Sequence, residues 1–281
     1  MRNHRPILGI LVTALIACLF SIALIAIFWK TLVLNFAENE LRNVFKGSSV
    51  SIGSRDITPG ALVFRDVGIK TKGRQFLKIK EFRLNFAAPS LLIGHVAEFS
   101  IEETVVYAKL KILKVHGLAK YAKGVLSLGN VSVHILSGVA EGSAVINTGT
   151  TPYYSASLRL KGIQLEKVVE AFELKEKIDV TGIVSGSLEI SGKGYILTEL
   201  KGKLDASPEG GTLTIKNKEW LDAIALYAKQ DINMIVENFK KYHYNEGNAG
   251  LGLKGTSIII DAHLSGEAGK RDLLVSLHDF N

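Results

Sequence analysis

The sequence predicts a mainly β protein, in which a single N-terminal transmembrane helix precedes an antiparallel sheet curled into a groove, with two or three short amphipathic helices. Three observations predict this fold. Residues 7–29 form an unbroken uncharged and largely apolar stretch. Beyond residue 47, short segments alternate apolar and polar residues, which is typical of strands with two unlike faces. Glycines recur on the apolar side of such segments (Gly182, Gly186 and Gly202), where they permit curvature or leave room for a ligand.

The N-terminal region predicts how the chain meets a membrane. It divides into a cytoplasmic tail, an anchor and a juxtamembrane helix, at residues 1–6, 7–29 and 30–46. As a helix, the anchor would extend about 34 Å, enough for a hydrocarbon core of about 30 Å. Arg2 and Arg5 before the anchor outnumber Lys30 after it, which places the N-terminus in the cytoplasm and residues 47–281 across the membrane.

Cys18 offers an alternative to the uncleaved anchor. The segment Leu15-Ile16-Ala17-Cys18 resembles a bacterial lipobox, in which the cysteine is lipidated and becomes the new N-terminus. The chain stays apolar up to Trp29, whereas lipoproteins normally continue with a polar tether. A small cysteine inside a membrane helix is the favoured interpretation, and lipidation of Cys18 stays open. As Cys18 is the only cysteine, no intrachain disulfide can form.

The composition excludes two classes of protein. The 281 residues include 34 Lys and Arg against 27 Asp and Glu, a formal net charge of +7. Arg2, Arg5 and Lys30 flank the anchor, so the rest of the chain carries only +4. A nucleic-acid-binding protein normally has a denser basic surface, and no nucleic-acid partner is predicted. Hydrophobic residues make up 47% of the chain, which excludes a disordered protein.

Period-two segments follow one another through residues 47–281, and three amphipathic helices interrupt them. Gly192-Lys193-Gly194 joins two segments and predicts a hairpin. The predicted strands include 82–86, 106–112, 131–135, 156–160, 180–190, 196–206, 258–264 and 273–280. The predicted helices are the juxtamembrane helix, Leu165–Phe172 and one long helix over about 218–241.

The sequence contains no motif that indicates catalysis. Its seven histidines are scattered, without a pair at metal-ligand spacing on one helix face. Gly250–Gly255 fits the dinucleotide-binding string G-x-G-x-x-G, but it leads into a predicted strand where such a site needs a helix. There is no P-loop and no nucleophile elbow. We therefore expect no enzyme activity, no cofactor, and no catalytic or metal-binding residues.

The order of these parts resembles that of the AsmA-like proteins. The matching segments near the membrane are Val50–Ser54, Gly60–Ile69, Phe76–Ile79 and Pro89–Gly94. The C-terminal half resembles the YdbH-type branch in Val180–Ile190, Gly202–Ala206, Pro208–Gly211 and the long helix that ends near Tyr244. The resemblance covers nearly all of residues 47–281, although the many central repeats of larger members are missing.

The resemblance implies a bridge-like intermembrane lipid transport protein. Such a protein is anchored in the bacterial inner membrane by a single span, and its periplasmic β-groove (the β-taco fold) shields phospholipid acyl chains as they move passively between inner and outer membranes. The apolar groove residues predicted from the strand pattern are Val184, Leu188, Ile190, Leu200, Leu204, Ile258 and Ile260. Replacing Val184 or Leu204 with Glu is expected to abolish lipid binding without unfolding the protein.

The C-terminal strand is the predicted partner site. Fourteen to sixteen strands spaced by about 4.8 Å would give a groove of about 70 Å, too short to cross a periplasm alone. The last predicted strand has few charges to protect a sheet edge. The YdbH resemblance implies that a small outer-membrane lipoprotein adds strands there, along Val275, Ser276, Leu277 and His278. The alternative is an edge folded back under the long helix.

A different class of function stays open. The size, single anchor and β-rich periplasmic part are also similar to the type II secretion protein N, a non-catalytic component of an envelope assembly. A dry, side-chain-filled interior would favour that structural or adaptor function. A continuous apolar trough would favour lipid transport.

Overall fold

The computed structural model describes residues 34–35, 38–39, 42, 49–58, 60–71, 74–85, 96–106, 110–147, 153–193, 196–229 and 231–277. The predicted tail, the anchor with Cys18 and most of the juxtamembrane helix lie outside these residues. Leu34, Asn35, Glu38, Asn39 and Arg42 are helical. Within the described ranges, no helix combines the length and apolarity needed to span a bilayer.

The chain is built mainly from antiparallel strands, with three short helices beyond residue 47 in the described part. The strands are β1 Ser49–Ser51, β2 Ser54–Thr58, β3 Ala61–Thr71, β4 Arg74–Asn85, β5 Val96–Val106, β6 Leu110–Ala122, β7 Val125–Ile135, β8 Gly138–Asn147, β9 Tyr153–Gln164, β10 Ile178–Val180, β11 Ile183–Lys193, β12 Ile196–Ala206, β13 Gly211–Ile215, β14 Tyr242–Tyr244, β15 Glu246–Lys254, β16 Ser257–Gly266 and β17 Gly269–Leu277. The helices are α1 Leu165–Ala171, α2 Lys218–Ala228 and α3 Ile232–Phe239. The mainly β prediction is confirmed, as are α1 and the β11–β12 hairpin.

Fourteen of these strands form one sheet. Its order is β1-β3-β4-β5-β6-β7-β8-β9-β11-β12-β15-β16-β17, and β2 pairs with the same edge of β3 as β1. Most neighbours are consecutive in the chain, so the sheet is a long meander. β10, β13 and β14 form a separate three-stranded sheet.

The cross-strand register defines the two faces of the large sheet, because directly paired residues lie on the same face. One row of paired residues crosses eight strands from β7 to β17 and is apolar or glycine throughout: Val131, Gly142, Leu158, Leu188, Gly202, Leu251, Ile260 and Val275. We name the face that carries this row the inner face and the opposite one the outer face.

Irregular residues keep apolar side chains on the inner face where the strict alternation fails. Phe64 and Val67 are three residues apart, yet they share one buried cluster, because Asp66 between them has a φ of 51°. Asn130 has a φ of 49° and lies where the β7–β8 register shifts. The shift at Asn130 is a bulge, which inserts a residue and bends the strand. A period-two pattern alone does not predict such irregular residues.

The long helix predicted over about 218–241 is wrong in one respect, since the structure divides it into α2 and α3. Lys229 adopts the left-handed conformation, with a φ of 53°, and ends α2. The side chain of Asp231 then accepts a hydrogen bond from the backbone N–H of Asn233, which caps α3. The chain leaves α3 after Phe239 and forms β14.

The predicted strand 180–190 also divides. Val180 belongs to β10 in the small sheet, whereas Ile183 begins β11 in the large one. Gly182 between them has a φ of 124°, which side chains disfavour, and a Cβ there would lie 2.9 Å from the carbonyl oxygen of Gly210. The break at Gly182 therefore lets one apolar segment contribute a strand to each of the two sheets.

Two clusters of buried side chains lie at the two ends of the large sheet. The N-terminal cluster is centred on Ile57, Leu62, Phe64 and Val67, and Leu34 packs against it. The C-terminal cluster joins β10, β13, β14, α2 and α3 to the inner face of β12, β16 and β17. Among the described residues, β5 to β9, β11 and β15 contribute to neither cluster.

Candidate functional site

The structure places all seven predicted groove residues on the inner face. Ile190 pairs with Leu200, Gly186 pairs with Leu204, and Val184 pairs with Ala206 across the β11–β12 hairpin. Leu188 and Ile260 lie in the eight-strand row, and Ile258 lies two residues along the same strand. The register thus brings together residues from two distant parts of the sequence on one apolar surface.

These seven residues differ in exposure. Val184 and Leu200 are each only 8% exposed, so a charge at either position would destabilise the fold itself. This corrects the expectation that Val184→Glu would leave the protein folded. Leu188, Ile190, Leu204, Ile258 and Ile260 are partly exposed. They are the positions at which an apolar ligand has access.

Two inner-face glycines mark where the sheet bends sharply. A Cβ on Gly142 would lie 3.0 Å from the Cα of Leu158, and a Cβ on Gly186 would lie 2.9 Å from the Cα of Leu204. In both cases a carbonyl oxygen of the neighbouring strand is closer still. Because a Cβ here would point to the inner face, the neighbouring backbone must lean over that face. Only glycine leaves room for this approach.

Leu251 is an inner-face residue that the sequence analysis missed. It pairs with Gly202 and Ile260 in the centre of the eight-strand row. The signal was present, since Gly247, Ala249, Leu251 and Leu253 alternate with Asn248, Gly250 and Gly252. The same segment fits a dinucleotide-binding string, and glycines on both faces weaken its strand pattern.

The outer face is polar and carries exposed ion pairs. Lys161 donates to Glu141 at 2.6 Å, and this contact lowers the pKa of the Glu141 carboxyl. The Nδ1 of His263 lies 2.7 Å from the Asp272 carboxylate, which raises the pKa of His263. Exposed pairs of this kind contribute little to stability. They identify the outer face as the solvated side of the sheet.

The C-terminal cluster covers one end of the inner face. Ala206, Ala262, Leu264 and Leu273 contribute the inner-face side of this cluster. Tyr244 lies in it, only 2% exposed, and its hydroxyl donates a hydrogen bond to the carbonyl oxygen of Thr181 at 2.6 Å. Burial, together with the nearby Glu166 carboxylate, raises the pKa of Tyr244 to about 12.

This raised pKa predicts alkaline instability. Because the folded-state pKa lies above the ordinary value of about 10, the contribution of neutral Tyr244 is complete below that pH and is lost as the pH rises toward 12. We expect urea midpoints to fall between about pH 10 and pH 12, and less steeply in Tyr244→Phe. Equal slopes in both proteins would contradict the assignment. Tyr244→Phe should also lower stability by about 1 kcal/mol through the lost hydrogen bond.

The predicted partner strand lies at the edge of the sheet. Val275 and Ser276 belong to β17, which pairs only with β16 among the described residues. Leu277 ends this strand, and His278 lies outside the described residues. The first part of β17 is covered on its inner face, since Leu273 is buried and Arg271 donates to Asn238 of α3 at 3.1 Å. Helix α3 thus covers the start of this strand.

The interpretation of the inner face rests on its geometry. Within the described ranges, no group of three or more His, Cys, Asp or Glu side chains is placed to hold a metal ion. The AsmA-like resemblance stays a prediction from sequence motifs. Comparison with protein-family models, curated proteins and solved structures found no match to this chain.

Proposed function

We propose that the inner face binds phospholipid acyl chains and that the protein takes part in passive phospholipid transport between inner and outer membranes. The observation that carries this proposal is the apolar row across eight strands, whose central members belong to neither buried cluster. We name the part of the inner face outside the two clusters, on β5 to β9, β11, β12, β15 and β16, the trough. Each buried methylene contributes about 0.8 kcal/mol, so a trough needs no polar group to hold lipid tails.

The dimensions of the sheet suit several acyl chains in series. The thirteen strands of the main path, at about 4.8 Å spacing, extend about 60 Å. An acyl chain covers about half of a hydrocarbon core of about 30 Å. Lipids could therefore follow one another along the trough, and the bends at Gly142 and Gly186 would shield their tails from water.

The N-terminal end of the sheet is the proposed inner-membrane end. The helix that follows the predicted anchor contacts this end of the sheet. Its Arg42 side chain donates a hydrogen bond to the carbonyl oxygen of Val50 at 3.0 Å and another to the Glu38 carboxylate of the same helix at 2.8 Å. Glu38 also pairs with Arg55 on β2. We propose that a single span places residues 1–6 in the cytoplasm and the sheet in the periplasm.

Lipid analysis of the purified full-length chain tests the proposal. We expect phospholipid to remain with the protein after extraction and extensive washing in detergent, at about one or more molecules per chain. Mass spectrometry of the extracted lipids, with total phosphorus per chain, measures it. A protein that is folded and free of phospholipid would contradict the proposal. That result would favour the structural or adaptor function similar to the type II secretion protein N.

We further propose that a small outer-membrane lipoprotein pairs with β17 and lengthens the trough. Charges are confined to the start of this strand, at Lys270, Arg271 and Asp272, so the part from Leu273 to Leu277 has no charge that would protect a sheet edge. Leu274 is highly exposed on the outer face. A partner strand would cover this segment and satisfy its outward backbone groups.

Crosslinking in cells tests the partner. A photoreactive residue in place of Ser276 is expected to give adducts with a small lipoprotein, whereas one in place of the exposed Ser187 on β11 is not. Val275→Pro should abolish the adducts, because proline disturbs the strand and removes a backbone donor. If adducts form only within the chain, and cells that carry Val275→Pro transport phospholipid normally, the proposed partner is contradicted.

A further inference from the structure

A cavity of about 600 Å³ lies at the ends of β5 to β8, beside α1. Its wall includes residues of both faces. Ile135 and Gly138 are paired with each other on the inner face, whereas Leu113 and His134 are paired on the outer face. The cavity therefore lies at the strand ends and takes wall residues from both faces of the sheet. We name it the rim cavity.

The rim cavity combines an apolar wall with ammonium groups. Val105, Leu113, Ile135 and Leu136 supply apolar surface, and Leu113 is 42% exposed although it is apolar. Lys111, Lys167 and the Glu170 carboxylate also line it. Lys167 pairs with Glu170 at 2.9 Å, whereas Lys111 makes no ion pair within the described part of the chain. The exposed Lys111 ammonium is thus available beside an apolar passage.

We propose that the rim cavity is a lateral portal for phospholipids, in which the lipid phosphate binds the ammonium group of Lys111, beside the Lys167–Glu170 pair, while the acyl chains pass Leu113 and Ile135 into the trough. The inference rests on the proposed lipid-binding function and adds the headgroup site. A lysine ammonium binds phosphate as a compact point charge. A headgroup held at the strand ends would remain in water while its tails lie on the inner face, as an amphiphile requires.

Two positions of equal exposure test the portal. Leu113 lines the rim cavity and is 42% exposed, whereas Val145, on β8 and outside the cavity, is 43% exposed. The full-length chain, with p-benzoylphenylalanine at one position or the other, is reconstituted in vesicles of phosphatidylcholine and radiolabelled phosphatidylglycerol and then irradiated. Label should attach at position 113 and at most weakly at position 145. Equal labelling at the two positions would overturn the portal.

A charge reversal tests the phosphate contact. Lys111→Glu should lower labelling at position 113 roughly tenfold, the effect of losing one charged contact. Lys120→Glu, the same change at an exposed position further along β6, should leave it unchanged. Labelled diacylglycerol, which lacks the phosphate, should attach equally with and without Lys111→Glu. Labelling by phosphatidylglycerol that is insensitive to Lys111→Glu would overturn the headgroup site.

A photoreactive residue in place of Leu188 separates this inference from the proposed function. If position 188 is labelled while position 113 is labelled no more than position 145, the portal is overturned and lipid binding in the trough stands. No labelling at position 188 or position 113 would contradict lipid binding itself.

Discussion

Leu188→Glu is expected to remove nearly all phospholipid that remains with the purified protein, while the fold is retained. Leu188 lies in the centre of the apolar row, between Leu158 and Gly202, and is partly exposed. Without lipid, the new carboxylate can reach water, so the folded state tolerates it. With lipid bound, the carboxylate would be covered by hydrocarbon at a cost of several kcal/mol, which corresponds to a loss of affinity of about 100-fold or more.

The matched control for this variant is Ser187→Glu. Ser187 is the preceding residue on the same strand, but it lies on the outer face and is exposed. We expect normal lipid content in Ser187→Glu and thermal unfolding midpoints within a few degrees of each other for the two variants. Total phosphorus per chain measures the lipid content, and a thermal melt measures the unfolding midpoint. Equal lipid content in the two variants would show that the inner face is not where lipid binds.

Gly186→Ala is expected to destabilise the fold far more than Gly252→Ala, the other methyl addition to a strand glycine. The new Cβ would overlap the backbone of β12, at 2.9 Å from the Cα of Leu204 and closer to the carbonyl oxygen of Lys203. Backbone atoms cannot move aside as side chains can, so we expect a loss of about 3 kcal/mol in the free energy of unfolding. The thermal midpoint should fall by about 6–12 °C.

Gly252→Ala is the control for Gly186→Ala. Gly252 lies on the outer face of β15, paired with Lys201 and Ile259, and no heavy atom lies within 4 Å of a Cβ placed there. This variant should change the thermal midpoint by no more than a few degrees. If Gly186→Ala is as stable as Gly252→Ala, the sharp bend between β11 and β12 does not exist in solution.

Much of the sheet could be predicted because its strands follow one another along the chain. In a meander, local alternation gives each strand's apolar side, and consecutive strands pair without a choice of partner. This is why the β11–β12 hairpin and the common face of Leu188, Leu200 and Leu204 agree with the sequence analysis. It is also why Ile258 and Ile260, more than fifty residues away, lie on the same surface.

Features that depend on non-local contacts could not be predicted from local patterns. Gly182 ends one sheet and begins another because Gly210 and Tyr244 occupy the space around it. Lys229 breaks the helical pattern without a proline or glycine. The left-handed residues Asp66 and Asn130 shift the alternation by one residue. In each case a tertiary arrangement overrides a weak local preference.

Only part of the candidate site could be predicted from the sequence, for the same reason. The apolar face is encoded by period-two alternation, so the sequence reveals its members. The rim cavity depends on α1 lying beside the ends of β5 to β8, which brings Lys111 and Lys167 to one opening. These two lysines are fifty-six residues apart, and no local pattern links them.

A photocrosslinking scan along β11 in living cells tests the central claim most directly. A photoreactive residue is placed in turn at Ser187, Leu188, Glu189 and Ile190, and phospholipid attached to the protein is measured after irradiation. The account predicts a period of two, with attachment at Leu188 and Ile190 and little at Ser187 and Glu189, because alternate residues face the trough. Attachment at all four positions alike, or at none of them in a folded protein, would contradict it.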